Sequence, residues 1–470
     1  MGSKERFYAD IMATHPEVTG SCNLVIVKFP NGETLRFVVD CGLFREKEYD
    51  EYNNTLPFTP EHVDFCLVTH NHIDHVGRLP LMVKEGYYKG IYATKTTCKF
   101  LPLALYDSHS ALHDTAKRKN QKCLYNETDI DNTLKLLKPC EYNEMMEIHP
   151  NVKVMFLQNG HLLGAAMIFV QISYPGQADI NILFTGDYKK DNIFFDVDSI
   201  PEFIRKLPLT IVQESTYGDI DTRDIKPCFK ENIIKSIRRE ETIIVPVFSL
   251  GRSQEILYEL KCMQEDGVLG KHIPIYLDGK LAIKYTDLYL KDGLEIKPEM
   301  RKFLPDNLTF SNSDLRDKLL EDHDAKIILT TSGMGSYGPA QVYIPAYITR
   351  KNALIHFTGY TAEGTLGGKL KAAGEYETVE VSGMMLKKLA SVEYTSEYSA
   401  HAKADEMIDF LNQFDKLKLV LVNHGEYDTK EKFANRVLEE VSTKNVGILG
   451  RDFFFRICPF GFVKTLSSKF

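Results

Sequence analysis

A chain of 470 residues with 43% hydrophobic and 26% charged side chains has an ordinary globular composition and is too long for one core, so two or more domains are expected. No window approaches the ~18 uncharged apolar residues of a membrane span, and Met1-Gly2-Ser3-Lys4-Glu5-Arg6 lacks the apolar stretch of a secretory signal. That leaves the cytoplasm as the expected compartment and no membrane as partner. A net charge of −8 argues against nucleic acid as a partner, except where clustered carboxylates and histidines bind divalent metals that reverse the local field. The nine cysteines, scattered and without a Cys-x-x-Cys, fit buried thiols in a reducing compartment.

In chain order, the apolar runs Leu24 to Phe29 and Leu35 to Val39 flank Pro30-Asn31-Gly32-Glu33 and predict a hairpin. The second run leads into Asp40, which taken alone reads as a turn residue. The short strand-like run Phe65 to Val68 then opens onto Thr69-His70-Asn71-His72-Ile73-Asp74-His75-Val76-Gly77. Three imidazoles and a carboxylate in so short a loop exceed what packing requires and point to metal ligation at a sheet edge. From Leu101 to Leu137 the pattern is helical and polar; His109 and His113 are one turn apart, but with no further donors around them they predict an exposed helix face.

Strands are expected at Val152 to Leu157, Ala166 to Ile172, Ile180 to Phe184 and Leu209 to Gln213. His161, Asp187 and Glu214 each follow a strand end, as His70 does. Beyond Gly218 strands and helices alternate, with strands at Thr242 to Val247, Ile273 to Leu277, Lys326 to Thr331 and Ala353 to Phe357 and a helix over Arg252 to Gln264, which predicts a parallel, doubly wound unit. Ser399-Ala400-His401 is expected to open a helix running to Leu411. The strand Leu417 to Val422 ends in Asn423-His424-Gly425-Glu426, and the aromatic C-terminus predicts a last strand and tail.

The donors suffice for two metal ions about 3.5 to 4 Å apart. His70, His72 and His161 serve one, Asp74, His75 and His424 a second, and Asp187 can bridge them. Nitrogen-rich ligation favours zinc, with manganese as the alternative. Asp40 then becomes a group orienting a ligand imidazole. A water shared by two such ions is acidified towards neutrality and can act as the nucleophile on a phosphate. The leaving oxygen still needs a proton, for which a His401 held by Glu214 is the candidate dyad. Asp74, His401 and Glu214 are thus the expected catalytic residues.

These motifs resemble those of the metallo-β-lactamase-fold nucleases of the β-CASP family. Asp40, the His-x-His-x-Asp-His loop at 70 to 75, His161 and Asp187 follow that superfamily's four motifs in order. Glu214 in Glu-Ser-Thr-Tyr-Gly, His401 in Ser-Ala-His and His424 in His-Gly-Glu resemble motifs A, B and C. Further echoes are the stretches 245–255 and 359–367. The likeness is closest to the cleavage-and-polyadenylation endonuclease subunit and its prokaryotic relatives. It implies an α/β fold: an αβ/βα sandwich over 1–215 and 386–470, interrupted by a β-CASP domain over 216–385 with a parallel sheet flanked by helices, and an active site in the cleft between them. It also implies phosphodiester hydrolysis, mostly in RNA, by endonuclease or 5′-to-3′ exonuclease action. Single-stranded RNA is the expected partner, and a homodimer stays open. The alternatives are a DNA nuclease of the same fold and a non-catalytic scaffold subunit of an RNA-processing complex; the second requires lost ligands, and none is missing.

Overall fold

The computed structural model describes residues 7–466 except 292, 360, 362, 363 and 382. Tyr360, Ala362 and Glu363 of the 359–367 stretch and the first six residues therefore lie outside the described part. The chain divides into two compact units. One comprises the stretch up to Asn192, Asp196–Thr222 and everything from His401; the other comprises Ile193–Phe195 and Arg223–Ala400.

The first unit contains an eight-stranded and a seven-stranded sheet. The expected hairpin forms as Asn23–Lys28 against Thr34–Val39, antiparallel, and Phe65–Leu67 and Ile91–Thr94 extend the sheet in parallel. In the other sheet Ile180–Phe184, Leu209–Glu214 and Leu417–Asn423 run parallel. Period-two alternation builds the layers. Phe37 and Val39 face a core shared with Phe156, Ile168 and Phe184 of the opposite sheet. Val38 faces outward, into a core formed with the helices Leu79–Lys84, Lys95–Lys119 and Glu127–Lys135. On the other side Leu157 and Phe169 pack with Met407 of the helix Ala404–Leu411 and Phe433 of the helix Tyr427–Glu440. The result is an αββα sandwich.

The C-terminus forms a hairpin, Phe453–Cys458 with Gly461–Leu466, rather than the expected single strand and tail. It docks antiparallel on Tyr8–Ala13, where Arg456 donates to both oxygens of Asp10 (2.8 Å each). The helix expected to open at His401 starts at Ala404, capped by the Lys403 N–H donating to Glu406 Oε2 (2.9 Å), so His401 sits in the preceding loop.

The second unit has a wholly parallel six-stranded sheet ordered Leu308–Phe310, Ile275–Asp278, Lys326–Thr330, Thr242–Pro246, Ala353–Phe357, Ser391–Tyr394. Fully buried, mostly apolar strands such as Thr242–Pro246 are what a parallel sheet covered on both faces requires. Inside it the buried Asp278 accepts two bonds from Arg316 (2.8 and 2.9 Å) and one from the Tyr343 hydroxyl (2.9 Å), which leaves no unpaired charge.

Phe37 is fully buried and stacks on Phe65 with ring centroids 4.8 Å apart. Phe37→Ala is expected to cost about 3–5 kcal/mol of the first unit's stability, read as a fall in its urea midpoint; a midpoint within error of the unmutated protein would contradict this packing.

Candidate metal centre

Six site residues sit at or just past the C-terminal ends of strands. Asp40 follows Thr34–Val39 and His70 follows Phe65–Leu67 in one sheet; His161 follows Val152–Gln158, Asp187 follows Ile180–Phe184, Glu214 ends Leu209–Glu214 and His424 follows Leu417–Asn423 in the other. Strand ends leave the ladder, so side chains there are free to converge. Asp74 and His75 come from the short helix Ile73–Val76, directly after His72. Its close approach to the Asp40-Cys41-Gly42 turn requires glycine: a Cβ on Gly42 would lie 1.5 Å from the Asp74 carbonyl oxygen.

The donors gather around one buried carboxylate. Asp187 Oδ2 lies 3.3 Å from His75 Nε2, 3.7 Å from His70 Nε2 and 3.8 Å from His161 Nε2, and Oδ1 lies 3.2 Å from His424 Nδ1. Three groups have ligand atoms close enough to hold an ion: His70, His72, His161 and Asp187; Asp74, His75 and His424; and Asp187, Glu214 and His401. The first two contain the triads expected from sequence; Asp187 belongs to the first and the third. His109 and His113, on the helix Lys95–Lys119, belong to no such group among the described residues.

The atoms fit a metal better than they fit one another. His75 Nε2 and His424 Nε2 face each other at 3.2 Å, and His161 Nε2 faces His72 Nδ1 at 3.1 Å. His70 Nε2 is buried without a hydrogen-bond partner. Burial, followed by the neighbouring imidazoles, pulls His70 well below its usual range, and burial then His75 does the same to His424. Uncharged imidazoles with inward lone pairs are the form that ligates. Burial alone would depress His75 as well, but the Asp187 and Asp40 carboxylates outweigh it and raise it. Burial pushes the Asp187 carboxyl up.

Asp40 is the brace behind this cluster. It adopts a left-handed conformation (φ 64°). Its carboxylate accepts from His75 Nδ1 (2.7 Å), the Thr69 N–H (2.8 Å) and the Thr69 hydroxyl (2.8 Å). Holding Nδ1–H leaves Nε2 of His75 for the interior. Glu214 Oε1 accepts from the Tyr188 N–H (2.7 Å), and Oε2 accepts from His401 Nδ1 (2.9 Å). Burial would lower His401, yet Glu214 and Asp187 together raise it.

Sequence reasoning passed over three neighbours. Thr69, which opens the donor loop, gives its N–H and its hydroxyl to Asp40. Thr216 places its hydroxyl 3.2 Å from His424 Nδ1, and His15 stands edge-on to the His424 ring, with centroids 6.3 Å apart. Thr69 and Thr216 could have been suspected from their places beside motif residues; no local signal marks His15.

A donor set of this kind at the strand ends of an αββα sandwich defines a metallo-hydrolase fold. Three family models match in succession: the metallo-beta-lactamase superfamily over residues 18–138, the Beta-Casp domain over 253–370 and the Zn-dependent metallo-hydrolase RNA specificity domain over 386–448. The chain thus carries matches, in this order, to the domains of a β-CASP metallo-hydrolase, and it is similar to proteins of that kind. It is 27% identical over 431 residues to the transcription termination factor FttA of Methanosarcina mazei, covering 86% of this chain and 66% of that one. It is 29% identical over 426 residues to a ribonuclease of Thermus thermophilus (87% and 91%) and 27% identical over 456 residues to the endoribonuclease ysh1 of Schizosaccharomyces pombe (92% and 56%). The chain spans 66% and 63% of the length of the termination factors of Methanosarcina mazei and Methanococcus maripaludis.

Asp40→Ala is expected to weaken the affinity for a divalent metal ion about 10- to 100-fold, because the His75 tautomer and ring orientation are no longer held. Competition against a chromogenic chelator measures it, and an unchanged affinity would show that Asp40 braces the turn alone.

Proposed function

We propose that this chain is a two-zinc ribonuclease that hydrolyses phosphodiester bonds of single-stranded RNA, with manganese as the alternative metal. What carries this is the gathering of His70, His75, His161 and His424 around Asp187 with the Glu214–His401 pair, 2.9 Å apart, alongside. The RNA specificity domain match supports RNA as the substrate class, and relatives named as ribonucleases support hydrolysis. On this reading, residues 1–215 and 386–470 form the metallo-β-lactamase domain and 216–385 the inserted β-CASP domain. The nine scattered cysteines suit the reducing cytoplasm.

His70, His72 and His161 would hold one ion, Asp74, His75 and His424 the other, and Asp187 would reach both. A bound zinc pair supplies Lewis-acid polarisation of the phosphate and an acidified water. The chain's residues do the rest. Asp40 fixes the His75 tautomer. Glu214, itself anchored by the Tyr188 N–H, holds His401 Nδ1–H, so that the imidazolium presents Nε2–H. That proton passes to the ribose oxygen as its bond to phosphorus breaks, and the carboxylate stabilises the charge on the ring beforehand.

Zinc-loaded protein is expected to cleave single-stranded RNA. His401→Ala should lower kcat about 10²- to 10⁴-fold with metal content retained, the usual worth of a positioned general acid. Asp74→Ala should lose both activity and one ion. Cleavage at the unmutated rate by both variants would sink the proposal. Cutting of a circular RNA in the same assay would assign endonuclease action, and cutting of a DNA strand of the same sequence would widen the substrate class.

A further inference from the structure

The segment from Thr14 to Cys22 joins the first two strands of the sandwich, and it lies against the second donor triad. The Thr14 N–H donates to the Cys22 carbonyl (2.8 Å), closing the loop on itself. The Ser21 N–H donates to the Asp74 carbonyl, and Gly42 N–H to the Ser21 carbonyl, each at 2.8 Å. On the other side Lys430 Nζ, in the helix Tyr427–Glu440 just past His424, donates to the Pro16 carbonyl (2.6 Å). The loop is therefore clamped to the chain on both sides of the triad Asp74, His75 and His424.

His15, in this loop, is 1% exposed. Its Nδ1 accepts from the Cys22 N–H (3.1 Å), so the neutral ring carries its proton on Nε2. That Nε2–H is buried without a hydrogen-bond partner. Such a burial is unfavourable, and a leucine or phenylalanine would fill the space without it. What the imidazole contributes is its ring against His424. His424 needs the support: its backbone is in the left-handed region (φ 45°), and besides Thr216 Oγ1 and the stacked His401 ring (centroids 6.5 Å apart) its ring faces other donors of the cluster, His75 Nε2 at 3.2 Å and Asp187 Oδ1 at 3.2 Å.

We propose that His15 is a positioning residue: its ring, set by the Cys22 N–H, holds the His424 imidazole in place and thereby supports the ion of the Asp74–His75–His424 group, not the ion of the His70–His72–His161 group. The inference rests on the two-metal reading and extends it to a residue outside every motif.

Zinc titration of the metal-free full-length protein tests it. The unmutated chain should bind two ions in two resolvable phases, and His424→Ala should identify which phase belongs to the second group. His15→Asn keeps an acceptor for the Cys22 N–H but removes the ring. It is expected to weaken that phase about 10- to 100-fold, the range for supporting residues around a metal, and to leave the other phase in place. His15→Phe retains a ring edge and should keep both phases near their unmutated positions, so that loss of the second phase in it overturns the inference even if the asparagine variant does not fold. The inference is overturned if His15→Asn moves neither phase or both equally, or if His15→Phe loses the second phase. Fewer than two ions on the unmutated chain would instead overturn the two-metal reading itself, and with it any second ion to support.

Discussion

Everything in the sandwich unit is arranged around the crowding of imidazoles about the buried Asp187 carboxylate. Without an ion, this is a poor arrangement: nitrogens face nitrogens at 3.1 and 3.2 Å, and a buried His70 nitrogen bonds to nothing. Such a cluster survives only if the surrounding scaffold over-determines it. Two sheets do so by ending strands at one edge, and their apolar core holds those ends in register. The cost of the polar cluster is thus offset by packing elsewhere in the same unit.

The strain is localised where the donors turn inward. Asp40 and His424, both of residue types that tolerate a left-handed backbone better than most, adopt φ of 64° and 45°. Each is then held by side-chain bonds or ring contacts from a separate segment: Asp40 by Thr69 and His75, His424 by Thr216 and, on our inference, His15. Preorganisation of this kind fixes ligand geometry before an ion arrives, so less ordering remains to be done on binding.

The parallel-sheet unit obeys different physics. Its central strands are fully buried, and the buried Asp278 carboxylate is neutralised by Arg316 and hydrogen-bonded by the Tyr343 hydroxyl inside the unit, while no group of potential metal donors lies in it among the described residues. Relatives that align with most of this chain carry names as different as a termination factor and a ribonuclease. Fold membership therefore bounds the chemistry, while the substrate is argued from the site.

Much of the site was legible because its signals are local. The packet from His70 to His75 compresses donors into one loop, and His161, Asp187, Glu214 and His424 each follow an apolar run whose length and composition announce a strand end. Asp40 was only half legible: a carboxylate after a strand reads equally well as a turn residue until His75 is seen to bond it at 2.7 Å. The docking of the C-terminal hairpin through Arg456 on Asp10, the start of the helix beyond His401, and the place of His15 beside His424 were not legible. Each depends on segments far apart in the chain meeting across a core, and no periodicity or spacing records such a meeting. The sequence by itself determined which groups could bind metal and that several of them follow strand ends; the tertiary structure alone decided that those ends share an edge, that the donors gather around Asp187 and what braces them, because a distance between side chains is set by how whole layers pack and not by any stretch of chain.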